Sequence, residues 1–378
     1  MKKSKIYKII FSLVIIATIG VLIFYFQLST RHKAIVKTTL LHKIGILDND
    51  WKVSNNKKVY QMRSPTFLID GIYKSMEGPK ASRYLQLSQK EKLLFITGFK
   101  VKAIDAKTNI LLSNDFVCHM NVDINDQQYY NYFGLSDRIG KQYPRLTSLS
   151  NGLENFKFPV GFGIPIAGNN FLNVTTQTLN HNLPNIFKKL KHEINIEYED
   201  YNKTQKPLLS KTVFIQLPYD KENPFKSPLD PASNQCIPVE TKNHSYTDNK
   251  GNTLSGHWVI PVGEKIYSSS ITNQLQIKDS LRLHFSAPHV HPFATNIGIY
   301  DKTIKKMLFN CSVTNYKNKI GLSKIETFSS QKGLWMYQNH DYELILTTNN
   351  TSNTLQDMMG SMFLFFYDKE LNAKIAEN

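Results

Sequence analysis

Residues 281–293 read LRLHFSAPHVHPF, and this stretch opens with the kind of segment that is repeated throughout the chain. Its first five residues alternate apolar and polar side chains, which is the pattern of a half-buried β-strand. Similar runs recur along the sequence: LFITGFKVKAI at 94–104, DFVCHMNVDI at 115–124, HEINIEYE at 192–199, YELILTT at 342–348 and SMFLFFYD at 361–368. Turn-rich pieces such as DAKTN and DNKGN lie between the runs, and long helical periodicity is scarce. This order predicts an all-β protein made of antiparallel β-sandwich, or jelly-roll, domains.

The length of the chain and one proline-rich segment indicate how the strands are divided. At 378 residues the chain exceeds what a single hydrophobic core usually covers. The segment PYDKENPFKSPLDPASNQC at 218–236 holds four prolines and almost no apolar pattern, which is typical of a linker. We therefore predict an N-terminal segment at 1–40, an N-terminal β-sandwich at 45–220 and a C-terminal β-sandwich at 235–375.

The N-terminus carries a segment long enough to cross a membrane. Four lysines in MKKSKIYK precede residues 9–28, which read IIFSLVIIATIGVLIFYFQL and carry no charge. A helix of that length spans a hydrocarbon core of about 30 Å. Because no small-x-small cleavage site follows, we predict an uncleaved, single-pass signal anchor in the cell (inner) membrane. The short tail favours a cytoplasmic N-terminus, with the bulk of the chain periplasmic or extracellular.

The charge and the cysteines bound the partners and the chemistry. The formal net charge is +16, but the lysines are scattered as on a solvated surface, so we predict no nucleic-acid partner. The three cysteines are Cys118, Cys236 and Cys311. In an oxidising compartment one pair could form a disulfide, and Cys236 with Cys311 is favoured because both fall in the second half.

Two histidines and a methionine are candidate metal ligands in the second half. His289 and His291 share one face of a strand, since successive side chains alternate, although two surface histidines are the simpler interpretation. Near the C-terminus, DMMGSMFLFFY at 357–367 contains three methionines. Core filling is the commonest use of methionine, but a thioether with two imidazoles also suits Cu(I). Alternation places Met358 and Met362 on a continuous apolar face and leaves Met359 on the other, so Met359 is the better ligand candidate.

The first half contains weaker candidates. In DFVCHMNVDI, alternation places His119 on a mostly polar face and Cys118 on the apolar one. His181 ends a further predicted strand. His257 and His284 could orient ligand imidazoles as hydrogen-bond partners, but such residues are more often satisfied polar groups.

The order of these motifs resembles the copper type II, ascorbate-dependent monooxygenases, the group of peptidylglycine α-hydroxylating monooxygenase and dopamine β-monooxygenase. That family has two jelly-roll domains with one copper each, and the likeness spans roughly residues 60–370. The resemblance implies that HVH and Met359 hold the copper that activates dioxygen. It implies a first copper site at CHM (118–120) and His181, and a reductant such as ascorbate.

Cys118 departs from the family, which has a histidine there. It is either a core residue or a soft copper ligand, and the first site is degenerate if it is core. Two functions follow. One is a membrane-anchored extracytoplasmic copper monooxygenase that hydroxylates a C–H bond of an unknown small molecule or peptide, with His289, His291 and Met359 as catalytic ligands. The other is a non-catalytic copper-binding or copper-sensing protein. A β-sandwich used only for protein contacts is the third alternative.

Overall fold

The chain begins with two consecutive helices, α1 (Lys2–Gln27) and α2 (Thr30–Lys43). The computed structural model describes residues 2–56, 58–218, 246–247, 251 and 253–377. Within α1, Tyr7–Gln27 form an apolar stretch of 21 residues that is not buried against the rest of the protein and is long enough to cross a membrane. The predicted apolar N-terminal helix is thus confirmed, and it fits a membrane-anchored protein.

Helix α2 is attached to the β-sheet body by polar contacts. Ser29 caps it, since its Oγ accepts a hydrogen bond from the backbone N–H of His32 at 3.4 Å. The ammonium group of Lys37 lies 2.5 Å from Asp70 and donates to the hydroxyl of Tyr73 at 2.9 Å. These contacts fix the body of the protein close to the end of α1.

A 12-stranded sheet runs through both halves of the described chain. Its main path, in spatial order, is β1 (Lys52–Asn55), β2 (Val59–Arg63), β11 (Lys188–Asp200), β5 (Leu93–Asp105), β9 (Phe162–Ala167), β12 (Lys206–Phe214), β24 (Gln356–Tyr367), β18 (Leu281–Val290) and β22 (Phe328–Met336). Three further strands attach to it: β3 (Phe67–Ile69) to β11, β8 (Asn155–Lys157) to β5, and β16 (His257–Ile260) to β24. Among the described strands, β9 and β12 are the parallel pair and the other pairs are antiparallel.

Smaller sheets cover the large one. The four-stranded sheet has the order β4 (Lys80–Leu85), β10 (Leu172–Thr178), β6 (Val117–Ile124) and β7 (Arg145–Ser150). The five-stranded sheet has the order β17 (Gly263–Ser270), β23 (Tyr342–Asn350), β19 (Ala294–Asp301), β20 (Lys306–Asn315) and β21 (Leu322–Ile325). A small sheet joins β13 (Leu217–Pro218), β15 (Thr253–Ser255) and β14 (Tyr246–Thr247). Strand β7 packs against β18 and β24, so the four-stranded sheet faces the C-terminal strands of the large sheet.

Short helices connect the strands. They are α3 (Asp126–Tyr132), α4 (Thr272–Leu275) and α5 (Lys369–Glu377), with 3-10 turns at Asn114–Phe116 and Ser136–Arg138. The predicted all-β class, with antiparallel sheets stacked as sandwiches behind an N-terminal helix, is confirmed. The reason is the period of two in the sequence, which buries alternate side chains, as in the pattern of β23 from Tyr342 onward.

The hydrophobic core is continuous between the halves. Phe156 of the first half lies 4.9 Å from Phe285 of the second, and Phe158 lies 4.8 Å from Phe365, both between ring centroids. The division at 45–220 and 235–375 stays a prediction, and most of the predicted linker lies outside the described residues. Cys236 also lies outside them, so its pairing with the buried Cys311 stays a prediction.

Candidate metal centre

A cavity of about 60 Å³ lies between the four-stranded sheet and strands β18 and β24. Sulfur- and nitrogen-bearing side chains from both sides line it: Met76, Cys118 and His119 on one side, and His289, His291 and Met359 on the other. Polar residues complete the walls, among them Asn121, Ser148, Ser150 and Ser361. Candidate ligands that are far apart in the sequence are thus brought to one place.

The register of the sheet explains why the C-terminal candidates meet. His289 lies opposite Ser361 across β18 and β24, and these partners share one face. Met359 is two residues before Ser361, so it projects from the same face. On the other edge of β24, His257 lies directly opposite Met359. Three strands therefore present their donors on one surface.

The end of β18 fixes the position of His291. Pro292 has no N–H and ends the strand. Phe293 adopts a left-handed φ of 76°, and its N–H donates to Asn315 Oδ1 at 2.7 Å. In the SAPHVHPF motif the strand therefore ends at Val290, directly before the second histidine.

The spacing of the imidazole rings is close to that of a metal site. The centroid of the His291 ring lies 5.7 Å from that of His257 and 6.1 Å from that of His289. A metal bonded to ring nitrogens at about 2.0 Å, with a tetrahedral angle, would hold two ring centroids about 5 Å apart. Both pairs are within about 1 Å of that spacing.

The electrostatics of His291 suit a metal ligand. Burial, and then the nearby imidazoles of His257 and His289, hold the pKa of His291 well below its usual value. The ring is therefore neutral at neutral pH, which is the form that binds a metal. Among the described residues its buried Nδ1 has no hydrogen-bond partner. Asn121 Oδ1 and Ser150 Oγ, on the wall of the same cavity, are likewise buried without a partner in this part of the chain. Such clustering points to a bound group or to waters in the cavity.

The histidines around the cavity do not by themselves form a complete coordination shell for a metal ion. In the described residues, no three side chains of the His, Cys, Asp and Glu types are grouped closely enough to hold a metal ion. The imidazoles therefore need a sulfur ligand, or a small ring movement, to complete a coordination shell. Two or three imidazoles together with a thioether sulfur are ligands that suit copper.

The methionines of β24 are placed as alternation predicts. Met358 and Met362 are fully buried in the core, whereas Met359 lines the cavity. Met359 is thus available to a bound ion and the other two are not.

Cys118 lies where the alternation of the strand did not place it. The pairing of β6 with β10 moves from Gln177–His119 directly to Thr178–Val117, so Cys118 sits at a bulge. A bulge turns one side chain out of the regular alternation, and Cys118 consequently lines the cavity together with His119. The alternation that separates Cys118 from His119 applies only to a strand without a bulge, and the bulge brings both side chains to the cavity.

The sulfur of Cys118 has a backbone contact from a strained loop. The N–H of Met76 donates to Cys118 Sγ at 3.5 Å. Met76 has a left-handed φ of 66°, which is uncommon outside glycine, and it also lines the cavity. Burial lowers the pKa of the neighbouring His119 to about 3, so that this imidazole is neutral as well.

His181 lies beside the second-half histidines. It lines a neighbouring cavity of about 640 Å³ with Asp357 and Pro292, and Pro292 is a wall of both cavities. The ring of His181 is close enough to His291 that a positive charge on His181 lowers the pKa of His291. Burial lowers the pKa of His181 itself to about 4. The sequence grouped His181 with His119, whereas the structure groups it with His291.

Sequence reasoning missed two residues of the site. Asp357 interacts electrostatically with His181 and His257, and raises the pKa of each against the larger effect of burial. Its position two residues before Met359 is a signal that could have placed it on the same face. Met76 lies in a loop and carries no such signal. His284 is not part of the site: its Nδ1 is hydrogen-bonded to Ser330 O at 2.9 Å and its ring packs on Phe162.

Comparisons with known proteins give no family. No protein-family profile and no curated protein sequence match the chain. Among solved structures, PNGase F, a glycosylasparaginase from Flavobacterium meningosepticum, has a TM-score of 0.33 at 9% identity, over 84% of this chain and 96% of that one. PNGF-II has a TM-score of 0.29 at 10% identity, over 80% of this chain and 64% of that one. The major capsid protein P2 from bacteriophage PM2 has a TM-score of 0.26 at 9% identity, over 82% of this chain and 99% of that one. Likeness at this level carries no functional conclusion.

Proposed function

We propose that this chain is a membrane-anchored copper protein of the monooxygenase type, which hydroxylates a C–H bond with dioxygen. The observation that carries the proposal is the cavity lined by the imidazoles of His289 and His291 and by Met359, with the ring of His257 beside that of His291. The resemblance of HVH and the late methionine strand to copper monooxygenases agrees with this arrangement.

His289, His291 and Met359 would hold the principal copper, with His257 as a further imidazole. Copper, when bound, supplies the redox chemistry with dioxygen. The chain's own contribution is to keep the imidazoles neutral by burial and to offer a soft sulfur that favours Cu(I). Asp357 would orient the rings of His257 and His181, as carboxylates commonly do for metal-binding histidines.

A second copper would be bound on the facing sheet by Cys118 and His119, where Met76 contributes another sulfur. Its expected task is to deliver an electron, with ascorbate or a similar reductant as the source. The neighbouring 640 Å³ cavity has the size of a small-molecule site and adjoins the donors through Pro292. It is the place where we expect a small-molecule or peptide substrate.

The proposed location is the cell (inner) membrane, crossed once by the apolar helix. The N-terminal lysines would stay in the cytoplasm and the β-sheet body would lie in the periplasm or outside the cell. The four lysines ahead of the apolar helix support this orientation, whereas Arg31, Lys33 and Lys37 behind it weaken the charge argument.

The test is dioxygen uptake by the full-length protein in detergent, after copper loading and with ascorbate. We expect uptake that depends on copper and is lost in His289→Ala and in Met359→Ala. The exposed residues His32 and Met307 provide matched controls, and His32→Ala and Met307→Ala should behave as the parent protein does. If metal analysis finds no copper bound to the protein after loading, the proposal is contradicted.

The second candidate function is copper binding without catalysis. The cavity of about 60 Å³ is small, so bound copper would leave little room in it for a substrate. Copper binding that depends on Met359, without any ascorbate-dependent uptake of dioxygen, would select this function over the first.

A further inference from the structure

A second site, separate from the copper cavity, surrounds the buried side chain of Lys211. Lys211 lies on β12, is 5% exposed, and lines a cavity of about 480 Å³. This volume is in the range of small-molecule sites. The cavity shares no lining residue with the proposed copper cavity.

The ammonium group of Lys211 lacks the partner that a buried lysine normally has. In the described residues it makes no hydrogen bond and no ion pair. Lys191, which is equally buried, lies 2.5 Å from Asp48. A buried charge without a counterion costs several kcal/mol, so an unpaired lysine is an unusual feature.

The carboxylate that acts electrostatically on Lys211, that of Asp368, already has partners. Asp368 is paired with Arg138, and it also accepts a hydrogen bond from the N–H of Leu371 at 3.0 Å. Arg138 lies 2.5 Å from Glu370 as well. Burial, and then repulsion by Arg138, lower the pKa of Lys211 to about 8, although Asp368 raises it. The lysine therefore still carries a proton through much of the neutral range.

The remainder of the cavity suits a flat apolar body whose anionic group faces Lys211. The other charged side chains of the wall are of both signs: Arg138, Lys141, Lys278 and Lys369 beside Asp137, Asp279, Asp368 and Glu370. The partner for an anion is therefore Lys211 itself, and Tyr130, Leu209 and Trp335 supply apolar surface. We propose that this cavity binds a small organic anion, a carboxylate or phosphate on an aromatic or apolar body, with the anionic group at Lys211 Nζ. The ligand supplies the counterion that the protein does not.

Benzoate and its neutral isostere benzamide test this proposal in the full-length protein by isothermal titration. We expect benzoate to bind and benzamide to bind at least about tenfold more weakly, since a charged hydrogen bond is lost. Lys211→Met should weaken benzoate binding by about tenfold or more, whereas Lys278→Met, at the exposed rim, should change it by less than about threefold. Equal binding of benzamide, or unchanged binding by Lys211→Met, would overturn the proposal.

A second measurement uses the parent protein, so its result does not depend on whether the Lys211→Met variant folds. Reductive methylation followed by mass spectrometry reports how accessible each lysine is. Benzoate should protect Lys211 and leave Lys278 largely reactive, and absence of protection at Lys211 would also overturn the proposal. Copper binding should be unaffected by benzoate, so this test is independent of the proposed copper function.

Discussion

Met359 is the residue that distinguishes a copper site from a group of buried histidines. Imidazoles bind many divalent metals, whereas a thioether selects Cu(I). Met359 lies in the cavity, and its neighbours in sequence, Met358 and Met362, fill the core. The choice among these three methionines could be made from the sequence, because it follows from the alternation of a single strand.

Met359→Ala should therefore weaken Cu(I) binding more than Cu(II) binding. We expect a loss of about tenfold to a hundredfold for Cu(I), because one soft ligand is removed, and a smaller loss for Cu(II). Competition titrations with a chromophoric chelator for each oxidation state measure both. Met307→Ala, at an exposed methionine, is the control. Equal affinities in the parent and in Met359→Ala would show that the thioether is not a ligand.

His192 gives a pH-dependent prediction that is independent of any metal. Its ring is buried, Nε2 donates to Phe116 O at 3.1 Å, and Nδ1 lies 2.6 Å from Thr176 Oγ1. Burial lowers its pKa from 6.5 to about 4, so the unfolded chain binds the proton more readily. Stability is complete above about pH 6.5 and falls as the pH drops toward 4, by about 3 kcal/mol for this residue.

Urea unfolding at a series of pH values measures that loss. In His192→Gln the acid-induced loss should be smaller by about that amount, because Gln does not titrate, whereas in the exposed control His32→Gln it should equal that of the parent. An NMR titration of the His192 ring with a midpoint near 6.5 would show the account of its burial to be wrong.

At the scale of elements, the bulge in β6 shows where sequence reasoning stopped. Alternation within a strand is local and could be read from the letters of DFVCHMNVDI. The bulge depends on how β10 pairs with β6, from Thr178–Val117 to Gln177–His119, which no local pattern encodes. The same limit explains His181, because its neighbours are fixed by loops that bring distant strands together. The sequence therefore indicates which residue types are candidates for the site, whereas their neighbours depend on the pairing of distant strands.

Helix α5 offers a prediction about stability. Asp368 caps its N-terminus through the N–H of Leu371 and is paired with Arg138, and its side chain is 5% exposed. Removing one partner of a buried pair leaves an uncompensated charge, so Asp368→Ala should lower the free energy of unfolding by about 3 kcal/mol. Glu370→Ala, which removes an exposed partner of the same arginine, should cost less than about 1 kcal/mol. Chemical denaturation distinguishes the two. Equal losses would contradict this account of the pair.

At the scale of the whole molecule, β12 joins the halves. It pairs with β9 of the first half and, from Leu208 to Phe214, with β24 at the end of the chain. The aromatic core is continuous across that junction. The class of fold could be predicted from the strand pattern, but this junction could not, since it joins strands about 150 residues apart.

The continuous sheet predicts cooperative unfolding. We expect one calorimetric transition for the β-sheet body, because neither half keeps its core when the other unfolds. A chain ending before β24 should fail to give a stable first half. Two separate transitions, or a stable, folded fragment of residues 45–218, would favour independent domains instead.

We propose that His289, His291 and Met359 bind one copper ion. X-ray absorption of the Cu(I)-loaded protein carrying both Cys118→Ser and Met76→Leu is the decisive measurement, because these changes remove the two sulfur donors of the facing sheet. We expect copper with two or three imidazole ligands and one sulfur, and loss of that sulfur when Met359→Ala is added. Copper without sulfur in the double variant, or sulfur retained after Met359→Ala is added, would show that Met359 is not a ligand.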